Sequence, residues 1–129
     1  YDISACLVGS EMCIRDRYTG THDNDTVMGW YDTLKGADKK LCDDYLRLKN
    51  ADGEPIPREQ LPWEFVRAAM SSVADLAIIP MQDYLGLGSE ARINIPSTLG
   101  INWKWRMGNG DFTKELAGRI RSMTKLYGR

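Results

Sequence analysis

Apolar side chains recur at helical spacing just after a polar stretch near the start of the chain. Four of them stand at positions i, i+3, i+4 and i+7: Val27, Trp30, Tyr31 and Leu34. This spacing predicts an amphipathic helix. Asn24 or Asp25 is the predicted N-cap because both residue types favour that position, and Gly36 marks the predicted end.

Three further segments repeat the helical pattern. Residues 37–49 have an apolar face made of Leu41, Tyr45 and Leu48. Residues 61–74 have an apolar stripe made of Val66, Ala69, Met70 and Val73. Residues 112–127 place five apolar side chains on one side: Phe112, Leu116, Ile120, Met123 and Tyr127. Each segment is therefore predicted to be a helix that packs one face against a core.

A short run at 76–81 (LAIIPM) is apolar without alternation. This pattern predicts a strand buried on both faces, which is typical of a parallel sheet. A long loop is predicted over 82–110. The order of strand end, helices, strand, loop and helix predicts an α/β fold with two βα units in series. Two such units cannot close a parallel barrel, so we expect them to form part of a larger fold.

Composition and charge exclude several classes of partner. The 129 residues carry a net charge of −1, so no basic excess favours nucleic acid. No apolar run approaches the roughly 18–20 residues of a membrane-spanning helix, and no membrane contact is predicted. Three cysteines, Cys6, Cys13 and Cys42, lack the number and spacing of a disulfide framework or zinc site. A reduced, cytoplasmic setting is predicted, without a metal or cofactor.

Five consecutive polar residues at 21–25 (THDND) lie between a predicted strand and a predicted helix. Parallel α/β folds place their sites at such positions. A carboxylate there can accept hydrogen bonds from sugar hydroxyls, and an imidazole can donate one. We interpret Asp25 as a helix cap and assign His22 and Asp23 to a site. His22-Asp23 also resembles the metal site of HD phosphohydrolases, but His22 is the only histidine in the chain.

Two other motifs allow alternative interpretations. Residues 86–91 match G-x-G-x-x-A, but the motif begins five residues after Met81, too late for a dinucleotide-binding turn. Pro96 would also interrupt the required helix. Residues 103–106 (WKWR) interleave aromatic and basic side chains, a pattern found in proteins that bind single-stranded nucleic acid. One short run of this kind is weak evidence for such binding. Anchoring of the loop against the fold is the preferred interpretation, and tryptophan is also suited to stacking on sugars.

Residues 1–17 have no clear periodicity. The stretch 6–17 (CLVGSEMCIRDR) resembles a peptide that recurs in metagenomic translations, where adapter or primer sequence is read as protein. On that interpretation residues 1–17 are not part of the functional protein. The alternative is a natural terminus with poor order.

Three stretches from Tyr18 onward together resemble one family. They are 18–26 (YTGTHDNDT), 79–94 (IPMQDYLGLGSEARIN) with the following Pro96, and 102–106 (NWKWR). In this order and spacing they are similar to the C-terminal part of the amylomaltases, or disproportionating enzymes. These are 4-α-glucanotransferases of the α-amylase clan.

The resemblance implies a partial (β/α)₈ TIM barrel holding roughly the last two βα units. Residues 18–21 would end strand seven, and residues 76–81 would be strand eight. It implies retaining transfer of α-1,4-glucan segments between maltooligosaccharides, or glucans derived from starch or glycogen. Asp23 would be the carboxylate that stabilises the transition state, and His22 and Asn94 would bind sugar hydroxyls. The nucleophile and the acid/base would lie on earlier strands, so we expect the fragment alone to be inactive.

Two alternatives remain open at this point. One is a non-catalytic carbohydrate-binding or interaction module of the same shape. The other is a hydrolytic relative in the α-amylase clan, in which water rather than a sugar accepts the glucan.

Overall fold

A computed structural model describes residues 16–129. The interpretation of residues 1–17 therefore concerns a segment that lies almost entirely outside the described residues, as do Cys6 and Cys13. The described elements, in chain order, are β1 (Asp16–Tyr18), α1 (Val27–Thr33), α2 (Gly36–Tyr45), a 3₁₀ turn (Arg58–Gln60), α3 (Leu61–Met70), β2 (Leu76–Ile78), α4 (Met81–Tyr84), a second 3₁₀ turn (Ser89–Ala91) and α5 (Lys114–Leu126).

The two strands pair in parallel, with Asp16 opposite Leu76 and Tyr18 opposite Ile78. The predicted parallel pairing with helices between the strands is confirmed. Because the strands run the same way, the loops that follow them leave from one edge of the sheet. That edge carries the candidate site.

Both strands end earlier than predicted. β1 ends at Tyr18, and β2 ends at Ile78 because Pro80 lacks the N–H that a ladder needs. The prediction that β2 is buried on both faces is not met within the described residues: Leu76 is 46% exposed and Ile78 43% exposed. In the described part of the chain, only the face that bears Ala77 is covered, by the core around α3.

The N-cap of α1 is Thr26, whose Oγ1 accepts a hydrogen bond of 3.0 Å from the Gly29 N–H. The prediction of Asn24 or Asp25 as the cap is wrong because both side chains have other partners. Asn24 Oδ1 accepts from the backbone N–H and the hydroxyl of Thr21 within the preceding turn, at 2.8 Å each. The Asp25 carboxylate accepts from the Ser89 hydroxyl and from the Thr26 N–H.

The first core cluster packs α1 against the start of α3: Val27, Met28, Tyr31, Leu48 and Leu61. The helix predicted over 37–49 ends at Tyr45, and both Leu41 and Tyr45 are exposed, so its predicted apolar face is wrong. Only Leu48 is buried, and it lies beyond the helix. The chain reverses at Arg47, which has a φ of 55°, and this reversal turns Leu48 inward.

A five-residue turn at 50–54 follows Leu48. The bridge between Lys49 and Pro55 closes it, and Asn50 Oδ1 accepts hydrogen bonds from the N–H groups of Asp52 and Glu54. All five residues are exposed. Cys42, on α2, is a free thiol whose pKa is raised chiefly by its partial burial.

The second core cluster joins α3, β2 and α5. Its buried residues are Trp63, Val66 and Met70, and its partly buried residues are Ala77, Ile79, Tyr84, Leu116, Ile120, Met123 and Tyr127. The predicted apolar faces of the third and last helices are therefore largely confirmed. Val73 and Phe112 are exceptions, both exposed, because α3 ends at Met70 and α5 begins after its cap Thr113.

Arg129 binds the backbone just before β2, at the end of the sheet opposite to the site. Its Nε donates to the Met70 carbonyl at 2.8 Å, and its Nη2 donates to the carbonyls of Ser72 and Ala74 at 2.9 and 2.6 Å. One guanidinium thus holds the connection between α3 and β2. None of the helices in residues 16–129 has the length and apolar character needed to cross a membrane.

Candidate functional site

Two loops meet at the carboxyl ends of the strands. The first, residues 19–26, follows β1, and the second, residues 79–95, follows β2 and contains α4 and the second 3₁₀ turn. Between them lies an open cavity of about 520 Å³, and its lining includes His22, Asp25, Gln82, Asp83 and Arg92. The long loop predicted over 82–110 is therefore partly helical and forms one wall of the cavity.

Three residues predicted for the site lie together. Asn94 Nδ2 donates a hydrogen bond of 2.6 Å to Asp23 Oδ1, and His22 Nε2 lies 3.3 Å from the same oxygen. The side chains of His22 and Asp23 are 55% and 49% exposed. Among residues 16–129, no hydrogen bond reaches the second carboxylate oxygen of Asp23, so the acceptor capacity of this oxygen is unused.

The ring of His22 also contacts Trp103. The two ring centroids lie 5.2 Å apart, with an angle of 33° between the planes. Trp103 has a φ of 63°, and its backbone N–H donates to the Ile93 carbonyl at 2.7 Å. A left-handed backbone is unfavourable for a bulky residue and is often kept at functional sites. This conformation brings an exposed indole beside the imidazole.

Arg92 joins the backbones of the two loops. Its Nη2 donates to the Asp23 carbonyl at 2.8 Å, and its Nε donates to the Asn94 carbonyl at 2.9 Å. The same guanidinium thus holds the main chain under both members of the Asp23–Asn94 pair.

A buried carboxyl group also joins the two loops. Asp83 is 1% exposed; its Oδ2 accepts from the Thr19 hydroxyl at 2.5 Å and its Oδ1 from the Val27 N–H at 2.9 Å. Burial raises the pKa of Asp83, and its two hydrogen bonds oppose that rise. Asp83 therefore ties the loop after β2 to both ends of the loop after β1.

Asp25 makes a further link between the loops. Its Oδ2 accepts a hydrogen bond of 2.6 Å from the Ser89 hydroxyl, and its Oδ1 accepts from the Thr26 N–H at 2.8 Å. The interpretation of Asp25 as the helix cap is thus wrong. The neighbouring Gln82, also buried, donates from Nε2 to the Ala91 carbonyl at 3.2 Å and holds the second loop in shape.

Sequence reasoning missed Gln82, Asp83, Ser89 and Arg92. Gln82 and Asp83 could have been predicted, because they are polar residues that follow an apolar strand, as residues 21–25 do. No comparable signal marks Arg92, because its partners are backbone carbonyls that any sequence could supply.

Both of the other motifs named from the sequence lie after β2. The segment 86–91 ends in a three-residue 3₁₀ turn, not in the long helix whose N-terminus holds the phosphates in a dinucleotide site. In the segment 103–106, Arg106 donates from Nη1 to the Trp105 carbonyl at 2.8 Å. Across residues 16–129, His, Cys, Asp and Glu side chains form no group of three that could hold a metal ion.

Comparisons with known proteins agree with one another. A family profile described as 4-alpha-glucanotransferase matches residues 12–112. The 4-alpha-glucanotransferase of Clostridium butyricum is 47% identical over 113 residues, which cover 87% of this chain and 22% of that protein. The 4-alpha-glucanotransferase of Thermus thermophilus is 44% identical over 110 residues, which cover 84% of this chain and 21% of that protein.

A solved structure of similar fold is the amylomaltase from Streptococcus agalactiae in complex with acarbose. It superimposes with a TM-score of 0.78 at 32% sequence identity, over 88% of this chain and 22% of that one. The chain thus spans about a fifth of the length of the proteins that it matches.

Proposed function

We propose, from the premise that this chain belongs to the 4-alpha-glucanotransferase family, that its parent protein transfers α-1,4-glucan segments between maltooligosaccharides with retention of configuration. The observation that carries the proposal is the Asp23 carboxylate. It lies at the carboxyl edge of a parallel sheet, and one of its oxygens accepts a hydrogen bond from Asn94 and lies 3.3 Å from His22 Nε2.

The proposed reaction has two displacements at the anomeric carbon. In the first, a carboxylate oxygen bonds to that carbon as the glycosidic bond breaks, and a carboxylic acid gives its proton to the leaving oxygen. In the second, a hydroxyl group of an acceptor sugar attacks the same carbon, the carbon–carboxylate bond breaks, and the acid's conjugate base removes the hydroxyl proton. The family resemblance assigns the nucleophile and the acid/base to parts of the parent outside this chain.

The contribution of Asp23 follows from its geometry. The oxygen held by Asn94 fixes the plane of the carboxylate, and the second oxygen can accept hydrogen bonds from sugar hydroxyls. Positive charge spreads over the ring as the transition state forms, and a fixed carboxylate stabilises it more than the neutral ground state. His22 and Asn94 have N–H groups beside the same carboxylate, where they would bind further hydroxyls of the glucan.

The same proposal covers the fold. We assign β1 and β2 to the last two strands of a (β/α)₈ barrel, with the site at its carboxyl end. The exposed face of β2, which bears Leu76 and Ile78, supports this assignment because inward-facing residues of such barrels are apolar. We assign maltooligosaccharides, or glucans derived from starch or glycogen, as substrates. A reduced compartment such as the cytoplasm is also part of the proposal.

The test is incubation of the complete parent protein with maltotriose as the sole sugar. Transfer predicts glucose together with chains longer than maltotriose. Shorter products alone would show a hydrolase, and binding without any product would show a carbohydrate-binding module. Either result would overturn the proposal.

A substitution then tests the role of Asp23. Asp23→Asn should lower kcat on the order of 100-fold, as loss of a transition-state contact does, and should change KM far less. Asp44→Asn is the matched control because Asp44 is an exposed carboxylate on α2 whose partner is Lys40. Near-normal turnover of Asp23→Asn would remove the assigned role.

A further inference from the structure

We infer that Arg92 is a positioning residue that sets the Asp23 carboxylate and the Asn94 amide at their working distance, an inference that rests on the proposed function. The carbonyls of Asp23 and Asn94 belong to different loops, yet one guanidinium binds both, at 2.8 and 2.9 Å. Nε and Nη2 lie in one rigid plane, so the two carbonyls are fixed relative to each other.

The need for such a residue follows from where the pair lies. Neither Asp23 nor Asn94 belongs to a helix or strand, so no regular ladder holds either backbone. Within residues 16–129, Arg92 is the one side chain whose hydrogen bonds reach backbone carbonyls of both site loops. The other links between these loops, made by Asp25 and Asp83, lie at different positions along the loop after β1.

Arg92 acts by geometry rather than by neutralising the carboxylate. Its bond is to the main-chain oxygen of Asp23, whereas the Asp23 side chain takes its hydrogen bond from Asn94. A lysine at this position would keep the positive charge. It would lose the planar fork, because a single ammonium cannot reproduce two donors held in one plane.

The test is Arg92→Lys in the complete parent protein, assayed for transfer from maltotriose. We expect kcat to fall about 10- to 100-fold, the cost of a small displacement of a catalytic group, and KM to change less than about threefold. The same substitution in an Asp23→Asn background should cost less than about twofold, because a positioning residue has no effect once its target is gone.

Arg129→Lys is the matched control. Arg129 also binds backbone carbonyls, at the opposite end of the sheet, so its loss should lower Tm and leave kcat per folded molecule unchanged. The inference would be overturned if Arg92→Lys lowered Tm and left kcat unchanged. It would also be overturned if Arg92→Lys lowered kcat by the same factor in the wild-type and the Asp23→Asn backgrounds.

A second measurement separates this inference from the proposed function. In a crystal structure of the Arg92→Lys parent, the distance from Asp23 Oδ1 to Asn94 Nδ2 should exceed the hydrogen-bonding limit of about 3.5 Å. An unchanged distance of 2.6 Å would overturn the inference. A wild-type parent that fails to elongate maltotriose would instead overturn the proposed function, and the distance would still decide the role of Arg92.

Discussion

The carboxylate of Asp23 and the amide of Asn94 form a hydrogen bond of 2.6 Å although 71 positions separate them in the chain. The contact exists because the loops that carry them follow adjacent parallel strands and leave the sheet at the same edge. One residue of the pair is the proposed stabiliser of the transition state. The other fixes one of its oxygens.

Asn94→Ala in the complete parent should lower kcat about 10- to 100-fold, because a hydrogen bond to a charged group contributes about 1.5–3 kcal/mol. Asn94→Asp should lower it further, since a second carboxylate would repel the first. Steady-state kinetics on maltotriose measures both variants. Asn50→Ala, in the exposed turn, is the control, and wild-type rates for both Asn94 variants would contradict the prediction.

Asp83 predicts a pH dependence of stability. Its pKa in the folded state lies above the ordinary value of 3.8 because burial disfavours the charged form. The unfolded state therefore ionises first as the pH rises. The contribution of Asp83 to stability is complete below pH 3.8 and is lost as the pH rises through the folded-state pKa.

Asp83→Asn removes this titration and keeps an acceptor for the Val27 N–H. The Tm of Asp83→Asn relative to the wild type should therefore increase from about pH 3.8 toward neutral pH. Asp83→Leu is the contrasting variant: it leaves the Val27 N–H and the Thr19 hydroxyl without their partner and should be less stable than Asp83→Asn by about 1–3 kcal/mol at every pH, because neither variant titrates at this position. A difference in Tm between Asp83→Asn and wild type that stays constant with pH would contradict the prediction.

Gly29 lies where α1 passes under the Asp25–Ser89 link. A Cβ at this position would come within 2.6 Å of Asp25 Oδ1 and would also clash with the Ser89 hydroxyl. Gly29→Ala should therefore destabilise the parent by about 1–3 kcal/mol, as overpacking does. Chemical denaturation measures the free energy of unfolding.

Gly118 provides the matched control for Gly29. It lies in α5, and a Cβ there would meet no atom of residues 16–129 within 4 Å. Gly118→Ala should stabilise the protein by about 0.5–1 kcal/mol because alanine loses less backbone entropy on helix formation. Equal effects of the two substitutions would show that helix propensity, rather than close packing, decides the outcome at Gly29.

The isolated 129-residue chain should self-associate. One face of β2 is uncovered in the described residues, and a two-stranded sheet has open edges that pair with other chains. We expect the mean molecular mass from light scattering to increase with protein concentration. We also expect the isolated chain to catalyse no glucan transfer. A monodisperse monomer that unfolds cooperatively would contradict the first expectation, and elongation of maltotriose by that monomer would contradict the second.

The helices could be predicted because their apolar residues recur at regular spacing, and the parallel pairing could be predicted because a short, continuous apolar run follows a helix. The N-cap was predicted wrongly because Asn24, Asp25 and Thr26 are all good capping residues, and only tertiary contacts decide among them. Val73 is exposed because α3 ends at Met70, before its apolar pattern does. Leu41 and Tyr45 lie within α2 and are nevertheless exposed, because spacing along a helix does not decide whether other elements cover the apolar face.

The residues of the candidate site were also only partly predictable from the sequence. Asp23, His22 and Asn94 were found from polar residues after a strand and from family resemblance, and the structure brings them together. The roles assigned to them remain predictions. Arg92 could not be found, because binding to backbone carbonyls leaves no complementary residue type in the sequence.

The turn at 50–54 is a suitable position for inserting a tag or a label in this protein. It is exposed, it is closed by its own hydrogen bonds, and it lies outside both site loops. Loop tips of this kind tolerate insertion. An affinity tag or a fluorescent label placed there would report on the parent protein without altering the residues that face its substrate.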